Sequence, residues 1–165
     1  MKTKILILFL LVSFAACKEP KKYPSEPEIA FKELVKNTSA LGLDESADLT
    51  ISFVDGDGDI GLGESDTMPP FNPESDYYYN FYIRFFIKTN GNFEEYGLAI
   101  PARQRIPYIN HEGKNRSLSG DIIMHLDFLG FGFKNDTLRF DAYIYDRALH
   151  KSNTISTSEI ILTTP

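Results

Sequence analysis

The chain has 165 residues with 17 Lys and Arg against 23 Asp and Glu, a formal charge of −6, and without residues 1–16, which include Lys2 and Lys4, the balance becomes 15 − 23 = −8. An acidic balance of that size argues against nucleic acid as a partner and against a polybasic grip on anionic lipid. With a single cysteine the chain has no internal disulfide, so one domain of this length must be held by packing, helped by a bound ion where the sequence supplies ligands.

Lys2 and Lys4 give a positive start, Ile5 to Val12 is an unbroken apolar run, and small residues lead to Cys17. That is the layout of a secretory signal peptide, and the run is too short to span a bilayer. Leu11-Val12-Ser13-Phe14-Ala15-Ala16-Cys17 resembles the lipobox of bacterial lipoproteins. The resemblance implies that residues 1–16 are removed and that Cys17 carries lipid and anchors the chain on a membrane. Two or more acyl chains make such anchoring stable. Lys18 rather than aspartate follows the cysteine, which points to the outer membrane of a cell envelope. From Cys17 to Glu28 the chain is rich in proline and charge, and is expected to be a solvated flexible tether.

Ile29 and Phe31 begin a candidate strand after the tether, although helical spacing also fits Phe31, Leu34 and Val35. Leu49, Ile51 and Phe53 alternate as the buried face of a second strand. From Tyr77 the alternation is longest, with Tyr79, Phe81, Ile83, Phe85 and Ile87 on one face and Tyr78, Asn80, Tyr82, Arg84, Phe86 and Lys88 on the other. Asn90-Gly91 then marks a tight hairpin, because both residues tolerate positive φ, and Phe93 to Leu98 should pair back. Two more core faces read Ile122, Met124, Leu126, Phe128 and Leu138, Phe140, Ala142, Ile144, and a Thr-, Ile- and Ser-rich segment from Asn153 to Leu162 closes the chain. Seven or eight short strands over residues 29–165, with no other sustained helical spacing, predict an all-β antiparallel sandwich.

Tyr145-Asp146-Arg147-Ala148-Leu149-His150-Lys151-Ser152-Asn153 resembles the stretch joining the last two strands of bacterial immunoglobulin-like and fibronectin-like domains. It implies an immunoglobulin-like sandwich. The lipobox, the short tether, the run Phe53-Val54-Asp55-Gly56-Asp57-Gly58-Asp59-Ile60-Gly61 and this ending together resemble small lipoproteins of the Bacteroidetes. That resemblance implies a fold and an address, and no activity.

Asp55, Asp57 and Asp59 alternate with glycines directly after a strand, and Glu64 and Asp66 follow. Calcium takes six to eight oxygen ligands, and carboxylates at alternate positions converge on one ion where glycine lets the backbone curl. These five residues are therefore candidate calcium ligands, with Asp146 as a further candidate. The loop is not an EF-hand, because Ile60 stands where that motif requires glycine. A plain turn in which aspartates cap backbone amides explains the same residues.

His111, His125 and His150 lie on separate segments and have no metal-ligand spacing to one another. His125 reads as a sheet residue hydrogen-bonded to a neighbour. No nucleophile elbow, phosphate loop or zinc signature occurs, so the sequence offers no catalytic constellation. Tyr78, Tyr82 and Phe86 alternate outward on the aromatic segment and form a candidate platform for a glycan ring or an envelope protein. Leu129-Gly130-Phe131-Gly132-Phe133 either folds over one end of the sandwich or presents its phenylalanines to a partner. The expected role is a non-catalytic binding or structural module of the envelope. The alternative is an enzyme or accessory subunit acting on envelope polysaccharide, which needs two carboxylates about 5 to 10 Å apart across a cleft.

Overall fold

The computed structural model describes residues 23–110, 117–128 and 130–163. The leader, Cys17, the tether up to Lys22, His111 and Leu129 lie outside the described residues. The ordered strands are β1 (Glu28–Thr38), β2 (Asp44–Asp55), β3 (Phe81–Thr89), β4 (Asn92–Tyr96), β5 (Ala102–Gln104), β6 (Leu118–Asp127), β7 (Thr137–Ile144), β8 (Ile155–Ser156) and β9 (Ile160–Ile161). One antiparallel sheet runs β1-β2-β6 and the other β4-β3-β7-β8, with β5 also on β3 and β9 also on β7. The two antiparallel sheets are those of an all-β sandwich, as the sequence predicts. Among the described residues, nine strands stand in place of the seven or eight expected, because the closing segment divides into β8 and β9, and β5 shares β3 with β4.

The alternation that predicted the core is the alternation that is buried. Leu49, Ile51, Phe53, Ile122, Met124 and Leu126 from the first sheet meet Phe81, Ile83, Phe85, Leu138, Phe140 and Ile144 from the second in one apolar cluster. Register puts Leu49 opposite Met124 and Phe85 opposite Phe140, whose rings meet edge to face at 4.8 Å. At roughly 1.5–3 kcal/mol for each large side chain taken from water, this cluster is the main source of stability. The 29–38 segment is strand rather than helix, since pairing with β2 buries Ile29 while leaving Val35 half exposed. The Asn90-Gly91 turn closes β3 onto β4 with φ of 51° and 86°, as a two-residue hairpin of this twist demands.

Two expectations fail locally. The strand expected from Tyr77 begins only at Phe81, because the Ser75 side chain accepts from the Tyr77 N–H and winds Asp76–Tyr78 into a 3₁₀ turn. The tether expected to be solvated up to Glu28 is in part docked. Pro27 is buried, and the Pro24 carbonyl accepts a 2.8 Å hydrogen bond from the Gly56 N–H. Gly56 permits this approach, since a Cβ there would lie 2.2 Å from the Tyr23 carbonyl oxygen and 2.4 Å from that of Pro24.

Candidate metal centre

β2 delivers Asp55 to one end of the sandwich, where its side chain is 0% exposed. Its Oδ2 accepts the Asp59 N–H at 2.9 Å, which curls residues 55–59 into one turn, and Gly58 takes the positive φ of 70° that the curl needs. Buried Ile60 then pins the loop to the core, and Leu62 fixes it to the 106–108 segment by donating to the Ile106 carbonyl and accepting from the Tyr108 N–H. From the other sheet, the chain leaving β7 turns through Asp146, which is 2% exposed. The Arg147 N–H donates to the Asp59 carbonyl at 3.3 Å and ties the two loops together.

Asp55, Asp57, Asp59 and Asp146 each offer one carboxylate oxygen, and the four oxygens all lie within 4.8 Å of one another. The Oδ1 atoms of Asp55, Asp57 and Asp59 are buried and have no hydrogen-bond partner. Buried acceptors in this state are expensive, at about 1–3 kcal/mol each and more when charged. Two unit charges 4.8 Å apart also repel by about 3 kcal/mol near a protein surface. Burial, with Asp57 next in weight, pushes the Asp55 carboxyl up to about 7. Burial and the neighbouring Asp146 and Asp57 raise Asp59, and burial raises Asp146 against the pull of His150. The His150 N–H donates to Asp146 Oδ1 at 2.7 Å while its Nδ1 sits 2.8 Å from Oδ2, which fixes the carboxylate and raises the imidazole above its ordinary pKa.

These four carboxylates are a group that could hold a metal ion. The donors are hard oxygens with no thiolate or imidazole nitrogen among them, which suits calcium or magnesium rather than zinc or copper. The four carboxylates offer one oxygen each toward the six to eight that calcium takes, and the irregular calcium sphere fits such a set better than the strict octahedron of magnesium.

The sequence named all four of these residues, Asp146 as a further candidate, but it also named two that the fold sends elsewhere. Asp66 pairs with Arg147 through both carboxylate oxygens and accepts the Gly63 N–H at 2.7 Å, and the Arg147 guanidinium holds its carboxyl below the usual range. Glu64 is exposed and stands apart from the cluster. Arg147 itself lies over the rings of Phe71 and Tyr108, so the residue after the metal candidate Asp146 clamps the long loop between β2 and β3.

The three outward aromatics do not share a free face. Tyr78 belongs to the 3₁₀ turn, and the Arg105 guanidinium covers its ring at 4.6 Å. Tyr82 stacks on its cross-strand neighbour Tyr143, with centroids 5.1 Å apart and planes 3° from parallel, and its hydroxyl donates to the Asp76 carbonyl. Phe86 lies under the guanidiniums of Arg84 and Arg139. His125 is an exposed sheet residue whose Nδ1 lies 2.8 Å from Oδ1 of its cross-strand neighbour Asp48. In the apolar loop, Phe133 is buried against Phe85 and Phe128, and the Tyr96 hydroxyl donates to the Phe131 carbonyl, so the described part folds over one end of the sandwich. An opening of about 370 Å³ between β3, β5 and β6 is lined by Ile83, Phe85, Leu126 and Phe131, with Asp127 as its one carboxylate.

No family model, no curated protein and no solved structure matches this chain.

Proposed function

We propose that this protein is a non-catalytic module of the bacterial cell envelope, held at the outer membrane by lipid on Cys17, with a β-sandwich that calcium orders at Asp55, Asp57, Asp59 and Asp146. The observation that carries the calcium assignment is the gathering of one carboxylate oxygen each from Asp55, Asp57, Asp59 and Asp146 within 4.8 Å, in a cluster where the first three each also bury an oxygen without a partner. The order of charge, apolar run, small residues and cysteine supports the anchor. Extracellular calcium modules commonly bind at about 0.1–1 mM, which suits an ion that orders a loop. For the enzyme or accessory-subunit alternative, the described residues lining the opening beside β5 include one carboxylate, Asp127.

The two halves of the proposal are tested separately. Cys17→Ser should release the protein from the membrane fraction, and retention without lipid would remove the anchor. Thermal unfolding of the full chain in millimolar calcium should exceed that in chelator by several degrees, and Asp57→Asn combined with Asp59→Asn should erase the difference. Equal melting temperatures for the unsubstituted chain would reduce the cluster to a strained turn.

A further inference from the structure

Building on that reading, we propose that the cation also docks the segment leading in from the anchor, so that its occupancy sets the length of the leash between membrane and domain. Residues 23–29 attach to the sandwich at two places. At the inner one, the Asn153 side chain bonds both the N–H and the carbonyl of Ile29 at 2.8 Å, alongside buried Pro27. At the outer one, the Gly56 N–H donates to the Pro24 carbonyl at 2.8 Å. Gly56 lies between Asp55 and Asp57, two members of the acidic cluster, so the outer attachment is made by the ion loop itself.

Without a cation, the four carboxylates repel, and the loop relieves the repulsion most directly by opening. Opening carries Gly56 away from Pro24. With a cation, the turn at 55–59 is held, and its glycine presents the N–H and the space that the Tyr23 and Pro24 carbonyls occupy. Docking and ion binding then favour each other, and the coupling is reciprocal, so a docked strap tightens the site by the factor by which the ion tightens the strap. The consequence is a length. The six residue steps from Cys17 to Tyr23 reach at most roughly 20 Å, and releasing residues 24–26, up to buried Pro27, adds four steps, at most roughly 14 Å. A loaded site therefore keeps this end of the sandwich near the bilayer, and an unloaded one lets it swing.

Hydrogen exchange in the full chain, held in detergent micelles, tests this on the peptide spanning residues 23–28, whose reporting amides include Ser25 and Glu26. Calcium should slow exchange there by about tenfold or more relative to chelator. Asp57→Asn with Asp59→Asn should make exchange there independent of calcium, because it removes both the ion's ligands and much of the repulsion. Gly56→Ala keeps all four carboxylates but puts a methyl where the carbonyls lie, so it should bind calcium roughly three- to tenfold more weakly and leave the strap unprotected in both. Calcium that binds the unsubstituted chain by equilibrium dialysis without changing exchange at 23–28 would overturn the clamp and leave the cation site standing. Protection of the strap in Gly56→Ala equal to that of the parent would also overturn it. An unsubstituted chain that binds no calcium would remove the site and the clamp together.

Discussion

β2 begins and ends on a buried aspartate, and the two ends behave in opposite ways. Asp44, 4% exposed, receives the Lys36 ammonium at 2.6 Å, the Thr38 hydroxyl at 2.6 Å and the Thr163 N–H at 2.8 Å. Burial works to raise its pKa, but these three donors outweigh burial and hold the carboxyl below its ordinary value. Asp55 is as deeply buried, yet it receives one N–H, leaves its Oδ1 without a partner and faces three further carboxylates. One strand therefore carries a polar site completed by the chain itself and one that the described chain leaves short of donors, where the proposed cation would sit. Burial of an acid is not informative by itself; what decides its meaning is whether the surroundings supply donors.

The comparison can be broken most sharply at the finished end. Asp44→Asn should destabilise the fold by about 2–3 kcal/mol, because it strands the Lys36 ammonium beside a neutral amide, and the loss should be the same in calcium and in chelator. Denaturant titration measures it, and a calcium-dependent loss would mean that the two ends are not independent. At the unfinished end, calcium at a hundredfold excess over its dissociation constant should add about 2.7 kcal/mol, read as a rise in melting temperature. Asp55→Asn should abolish that rise while leaving the protein in chelator as stable as the parent or slightly more so, since it removes one of four repelling charges. A large loss in chelator would show that Asp55 does structural work without an ion.

His150→Ala leaves all four carboxylates in place and removes the ring that orients Asp146, so calcium affinity should fall by about tenfold without loss of the site. Dialysis with labelled calcium distinguishes this from abolition.

The two ends should also part company in pH. A carboxyl whose folded pKa is lowered contributes stability that is present above the unfolded value and lost as pH falls through the folded value, so the Asp44 contribution should disappear only below about pH 4. A carboxyl whose folded pKa is raised contributes in the opposite sense. In chelator the Asp55 contribution should be full below about pH 4 and drain away as pH rises toward about 7. Melting curves from pH 5 to 8 in chelator should decline, and Asp55→Asn should flatten part of that decline.

How much of this was legible in the sequence follows from which interactions are local. The period of two over Leu49 to Phe53 and Leu138 to Ile144 marks residues that are buried, because a strand's alternation is written directly into the chain. Asn90-Gly91 announced its hairpin for the same reason. The departures come from contacts that periodicity does not encode. Ser75 captured the Tyr77 N–H and shortened the aromatic strand, a side-chain cap overriding an apolar pattern. Asp66 looked like a ligand by spacing, but its partner Arg147 lies 81 positions away. Asp146 joined the cluster only because β7 ends beside the loop that follows β2, and the adjoining Asp-Arg pair, one residue for each neighbour, was the available signal. The docking of Pro24 onto Gly56 had no signal beyond a glycine that turn chemistry already explained.

The most direct test of the account is equilibrium dialysis of the full chain against calcium, beside Asp55→Asn. The account predicts one calcium ion per chain, lost on that single substitution while the protein stays folded in chelator. No bound calcium at millimolar concentration, or equal binding by the parent and Asp55→Asn, would contradict it.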